Sequence, residues 1–295
     1  MPQAQLTPDL AVEYDTFGEA ANPALLLIMG LGTQMIAWHP VLCQRLADEG
    51  FYVIRFDNRD VGLSSELNLS WPSIEWSSIR SKLGLKVKAP YLLIDMAADA
   101  VALLDYLGIE RAHVVGVSMG GMIAQETAIG FPERVLSLTS IMSTTGSSKV
   151  GQPEPFAIKL FRQKHPDGRE AVIDATIAGR RVLAGGYFDE AGIREFATRS
   201  FDRSYRPVVS LKHLTAVVAS GDRTEALEAL AVPTLVIHGR KDPLVNIDGG
   251  EATAAAIPDA TFVAFDEMGH DLPHELWPEY VRRIAGHAKA ATSRD

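Results

Sequence analysis

The sequence predicts an α/β fold with a mostly parallel central sheet, helices on both faces and an inserted helical cap. Three observations predict it. Short apolar or β-branched runs alternate with helical patterns up to residue 143, and do so again from residue 222. One such run, Ala24 to Met29, is apolar throughout, as a strand buried on both faces requires. Between the two alternating parts, residues 144–221 carry helical patterns alone and read as an insertion between two strands of one sheet. The expected division is a core of residues 1–143 and 222–295 with a helical cap of residues 144–221.

Taken in order, Leu10 to Phe17 reads as an opening strand, followed by a turn through Gly18, Asn22 and Pro23. The buried run from Ala24 ends at Gly30-Leu31-Gly32. A helical pattern from Trp38 to Glu49 stops at Gly50, and Tyr52 to Phe56 is the next strand, ending in Asp57-Asn58-Arg59-Asp60. Residues 61–90 lack a clear period and read as a long surface excursion carrying Trp71 and Trp76. Asp95 to Leu107 is an amphipathic helix leading into the strand before Ser118. Val135 to Met142 is a strand. The cap shows helical patterns at 156–164, 169–183, 189–203 and 207–219, broken by Pro166, Gly185-Gly186 and Pro207. Thr234 to His238 and Thr261 to Phe265 are strands, each followed by a helix, at Asn246 to Ile257 and Glu275 to His287.

Composition narrows the function classes. A chain of 295 residues with 47% hydrophobic and 22% charged residues supports a sizeable packed core. A formal net charge of −9 argues against a nucleic-acid surface and against anionic membranes. The single cysteine, Cys43, excludes an internal disulfide and any multi-thiolate zinc site, and its place in a helical pattern makes it a packing residue. The first residues show no basic segment followed by an apolar run, so a cytoplasmic location is expected.

The chemistry centres on Ser118. It stands in Gly116-Val117-Ser118-Met119-Gly120, between the β-branched run Val114 to Val117 and a small-residue helical pattern that Pro132 stops. A serine on a tight strand-to-helix turn needs small neighbours and sits where free helical N–H groups favour negative charge. The motif is a nucleophile elbow in that setting. A serine hydroxyl is a weak nucleophile and requires a base, which in turn requires an orienting carboxylate. Asp242 follows the strand ending at His238, and His270 follows the strand ending at Phe265. Parallel strands bring such loops to one edge of the sheet. By position, the backbone amides of Leu31 and Met119 form the oxyanion hole.

These pieces carry a resemblance. The whole chain resembles a cap-bearing α/β hydrolase, and Met29-Gly30-Leu31-Gly32, the stretch Arg55 to Gly62, Gly116 to Gly121 and Gly269-His270 together most resemble the aclacinomycin methylesterase group of esterases. Met29 stands where many relatives carry His, and Asp60 where many carry Gly. The resemblance implies ester hydrolysis by a serine, histidine and aspartate triad through an acyl-enzyme. It implies no metal and no organic cofactor. Lactone hydrolysis, perhydrolysis and carbon–carbon bond hydrolysis use the same triad, and a ligand-binding receptor-like member of the fold is a further alternative. A serine at the elbow disfavours haloalkane dehalogenases and epoxide hydrolases, whose relatives place Asp there.

Rival residues are weaker. Of the eight histidines, His113 and His238 fall in strands, His165 in the cap, and His39 and His287 in helices, whereas His213 and His274 lack a strand-end loop of their own. Asp266 and Asp271 lie too close to His270 in sequence to be its natural partner. The position after the strand ending at Met142 offers Ser143, Thr144 and Thr145, none of them a carboxylate. Phe161, Tyr187, Phe188, Phe196, Phe201 and Leu214 of the cap, with Trp71 and Trp76, are candidates to line an apolar pocket for a small ester.

Overall fold

A computed structural model describes residues 2–82, 85–162 and 166–293, leaving aside the side chains of residues 81, 82, 161 and 162. The elements in chain order are β1 (Gln3–Thr7), β2 (Leu10–Phe17), β3 (Ala24–Ile28), α1 (Pro40–Asp48), β4 (Tyr52–Phe56), α2 (Ile74–Lys82), α3 (Leu93–Tyr106), β5 (Ala112–Val117), α4 (Met119–Gly130) and β6 (Val135–Ile141). There follow five helices, α5 (Pro155–Ile158), α6 (Arg169–Leu183), α7 (Glu190–Arg203), α8 (Val209–Ser220) and α9 (Thr224–Glu228). The chain closes with β7 (Thr234–Gly239), α10 (Ile247–Ala256), β8 (Thr261–Phe265) and α11 (Trp277–Thr292).

The strands form one sheet in the order β1-β2-β4-β3-β5-β6-β7-β8. The β1–β2 and β2–β4 pairs are antiparallel, and every pair from β4 across to β8 is parallel. The apolar run at β3 explains the layering, because successive side chains of a strand face opposite sides. Leu25 and Leu27 pack with Leu42 of α1 and Tyr280 and Ile284 of α11, whereas Leu26 and Ile28 pack with Leu103 of α3 and Ile123 of α4. Each such side chain, fully buried, contributes about 2 kcal/mol. Cys43 belongs to the first of these faces, and burial pushes its thiol up to about 12, which keeps it protonated. It is a packing residue.

Three departures from the sequence expectations have physical causes. Strand β1 precedes the expected opening strand; its inward side is only Ala4 and Leu6, too few apolar residues to show a period. The excursion contains α2, which packs against α8 and buries Ser77 in place of an apolar stripe. His39 is not inside a helix but caps α1, its Nδ1 accepting from Val41 N at 3.2 Å. Among the described residues no helix is long and apolar enough to cross a membrane.

Candidate active site

The parallel part of the sheet delivers the ends of β3, β5, β6, β7 and β8 to one edge, and the expected residues meet there. Ser118 joins β5 to α4 with φ 56° and ψ −120°, a left-handed backbone uncommon for a residue with a side chain. Two glycines make that turn possible. A Cβ at Gly116 would lie 2.0 Å from Gly120 O, and one at Gly120 would lie 2.2 Å from Ile28 O. Ser118 N donates to Ile141 O at 2.9 Å, and Ser143 Oγ donates to Ser118 O at 2.9 Å, so β6 holds the turn from below. Strain at the serine is therefore held in place by packing on both sides.

His270 lies on the loop after β8 with Nε2 2.9 Å from Ser118 Oγ. Its Nδ1 is 2.7 Å from Asp242 Oδ2. A carboxylate only accepts, so Nδ1 carries the proton and Nε2 is left to accept from the serine hydroxyl. Asp242 is buried, and its other oxygen accepts from Leu244 N at 2.8 Å and Val245 N at 2.9 Å. The carboxylate is thereby fixed in direction. His238 Nε2 approaches Asp242 Oδ2 at 3.6 Å while donating to Val245 O at 2.8 Å. Burial lowers the His238 pKa against the pull of Asp242, so it stands there as a neutral ring.

Leu31 and Met119, the two residues whose amides the sequence assigns to the oxyanion hole, flank the serine. Met119 opens α4, a helix of 12 residues, and the amides of a helix start favour negative charge. Leu31 lies in the loop after β3, next to Gly30, where a Cβ would come within 3.2 Å of Ser118 Cβ. Among the described residues neither amide is engaged by another group.

A cavity of about 610 Å³ opens onto Ser118 and His270. Leu183 and Phe196 line it from α6 and α7, Tyr187 from the loop between them, and Trp277, stacked on His39 at 4.8 Å, lines it as well. Arg180 also faces this cavity, held 3.4 Å from Asp271 and lying over the Phe196 ring. A smaller cavity of about 310 Å³ adjoins it, and Phe196 and Ser210 line both. Of the expected pocket residues, Tyr187 and Phe196 line the larger cavity and Phe201 the smaller. Phe188 instead packs with Ile173 and Ile177. Trp71 packs edge-on against Tyr91 at 4.7 Å, Trp76 is 60% exposed, and neither they nor Leu214 line either of these two cavities. The side chain of Phe161 and all of His165 lie outside the described residues.

The helices between β6 and β7 also grip the loop that bears His270, which the sequence reading missed. His270 N donates to Leu183 O at 2.7 Å, Gly186 N donates to Glu267 O at 2.7 Å, and Gly185 bridges Met268 in antiparallel fashion. The only sequence signal was Gly185-Gly186, read as a helix break. Among the described residues no group of three or more His, Cys, Asp or Glu is arranged to hold a metal ion.

Hydroxyl, imidazole and buried carboxylate in one hydrogen-bonded line form the arrangement by which serine hydrolases work. The comparisons with known proteins point the same way. The family model described as alpha/beta hydrolase fold matches residues 23–275, and the chain belongs to that family. Rhodomycin D methylesterase DnrP of Streptomyces peucetius is 28% identical over 320 residues, covering 99% of this chain and 100% of that one. The expected likeness to a methylesterase group is thus met. 3-Oxoadipate enol-lactonase 2 of Acinetobacter baylyi is 28% identical, covering 82% of this chain and 80% of that one. Among solved structures, a meta-cleavage product hydrolase from Pseudomonas fluorescens superposes with a TM-score of 0.75 at 20% identity, over 96% of this chain and 95% of that one. That likeness shows the fold.

Proposed function

We propose that the protein is a carboxylic ester hydrolase working through an acyl-enzyme. The observation that carries this reading is the line from Ser118 Oγ to His270 Nε2, 2.9 Å, and from His270 Nδ1 to Asp242 Oδ2, 2.7 Å. His270 takes the serine proton as Oγ attacks the ester carbonyl, and Asp242 holds the imidazole in the tautomer that can accept it. The carbonyl oxygen becomes an oxyanion between the Leu31 and Met119 amides. Each such donor is worth about 3 kcal/mol to the transition state. His270 then protonates the leaving alcohol, and a water activated by the same imidazole releases the acid.

A small to medium, partly apolar ester fits the cavity of about 610 Å³ with its Tyr187, Phe196 and Trp277 walls. Methyl esters are the first choice, because relatives matched along their whole length are named methylesterases. In this reading residues 144–221 act as the cap that shapes the pocket over the sheet edge.

Hydrolysis of p-nitrophenyl and methyl esters by the wild type and by Ser118→Ala tests the reading. Turnover in the wild type, its loss in the folded variant, and a pre-steady-state burst with an activated ester are expected. Retained turnover in Ser118→Ala would falsify the nucleophile assignment.

A further inference from the structure

The loop that carries Leu31 is fastened by groups outside it at three backbone points. Asn58 Nδ2 donates to Met29 O at 2.9 Å, and Asp57 Oδ1 accepts from Met35 N at 2.8 Å. Both of these come from the end of β4. The third comes from α8. His213 Nδ1 accepts from Gly32 N at 3.2 Å, and its Nε2 lies 3.0 Å from Arg59 O. An amide only donates and a carbonyl only accepts, so the ring is neutral with its proton on Nε2. Its surroundings hold it there: Tyr91 packs edge-on against the ring at 6.5 Å, and Asp60, which faces it with Arg59, binds Tyr91 Oη at 2.7 Å and Lys212 Nζ at 3.1 Å.

The placement of these clamps matters for one peptide. The Leu31 N–H belongs to the Gly30–Leu31 peptide. The plane before it is held through Met29 O by Asn58, and the plane after it through Gly32 N by His213. Within the loop, only Thr33 N, at 3.2 Å from Gly30 O, holds that peptide directly. Gly30 on its N-terminal side gives that peptide rotational latitude, so the flanking planes, together with Thr33 N, decide where its N–H points. Helix α8 also presses close. Gly32 has φ +62°, and a Cβ there would meet Ser210 Oγ at 2.3 Å, one turn before His213 on the same helix face.

We propose that His213 is a positioning residue for the oxyanion loop: by holding the Gly32 amide it aims the Leu31 amide, and it makes oxyanion stabilisation depend on the seating of α8. This rests on the esterase reading above. His213 is fully buried and lines neither cavity, so its effect belongs to the transition state and not to ground-state binding.

The test compares His213→Leu, which fills the site without an acceptor, with His213→Asn, whose Oδ1 can take the place of Nδ1. For a p-nitrophenyl ester, His213→Leu should lower kcat by about 10- to 100-fold with KM within about twofold. Affinity for an alkylboronic acid, which mimics the tetrahedral oxyanion on serine, should fall by a similar factor, and His213→Asn should recover most of both. A folded His213→Leu with wild-type kcat, or a His213→Asn as slow as it, overturns the proposal. If His213→Leu does not fold, hydrogen exchange of the Gly32 amide in the wild type decides: slow exchange supports the clamp, and exchange at the rate of an open loop overturns it. Absence of ester turnover in the wild type would instead sink the esterase reading, leaving the Gly32 exchange to decide the clamp by itself.

Discussion

The two flanks of Ser118 are fastened to the inserted helices by different means. On the base side the fastening is backbone to backbone, from Leu183 O to His270 N and across the Gly185–Met268 bridge. On the oxyanion side it runs through side chains: the imidazole of His213 reaches Gly32 N, and Gln34 Nε2 donates to Ser200 O at 2.7 Å and Ser204 O at 2.8 Å while its Oε1 accepts from Arg203. A backbone ladder is indifferent to side-chain identity and to protonation, whereas an imidazole responds to both. The two halves of the site are therefore separable: the base side breaks through the reacting groups or through sterics, and the oxyanion side through single side chains or, at His213, through acid.

The largest effects belong to the reacting groups. Ser118→Ala and Asp242→Asn should each cut kcat by about 10⁴-fold or more with far-ultraviolet circular dichroism unchanged, the second by leaving His270 free to take the wrong tautomer. Next comes the backbone seam. A Cβ at Gly269 would lie 2.0 Å from Leu183 O and 2.5 Å from Gly185 N, so Gly269→Ala must push the helices off the base-bearing loop. Overpacking of this kind costs about 1–3 kcal/mol, and a lower thermal midpoint together with reduced kcat is the expected result. A variant with unchanged midpoint and kcat would show that the seam is dispensable.

The oxyanion side should answer to pH. Burial, the dominant cause, depresses the His213 pKa from 6.5 to about 4. Between those values the unfolded chain binds a proton that the native state refuses. Stability gained above pH 6.5 is thus lost progressively as pH falls toward 4, about 3 kcal/mol in all, and flattens below. Denaturant unfolding across that range should show a shallower slope for His213→Asn than for the wild type; equal slopes would contradict the burial of a neutral ring. The smallest effect is expected far from both flanks. Arg169 pairs with Asp202 at 2.7 Å on the solvent side of the helices, and Arg169→Ala should leave activity and thermal midpoint unchanged.

The same contrast explains what the sequence made legible. Ser118 follows its strand directly and Asp242 and His270 lie on the loops just after theirs, and parallel pairing carries strand ends to a common edge, so order along the chain becomes neighbourhood in space. Helical periodicity in the insertion tells which face of a helix turns inward but not which loop it meets. Leu183, Arg180 and the grip of His213 on Gly32 were hidden for that reason. Aromatic content misled in the excursion, where Trp71 packs on Tyr91 and Trp76 faces solvent. Asp60, unusual by resemblance, has a local explanation: its backbone is left-handed, φ 67°, where a short polar side chain is tolerated, and its carboxylate accepts from Leu67 N at 2.8 Å as well as from Tyr91 and Lys212.

The seam at Gly185 and Met268 also sets a rule for recombination. Transplanting the inserted helices from a relative with a different pocket, with crossovers placed only at the ends of β6 and β7, would bring a new strand-like edge against the old base-bearing loop. Residues 183–186 and 267–270 form a matched pair despite their distance along the chain. A donor that keeps glycine at 185 should seat His270 in either chimaera, because the seam is backbone to backbone, whereas a side chain there would meet Glu267 O and displace the His270 loop unless both segments are exchanged together.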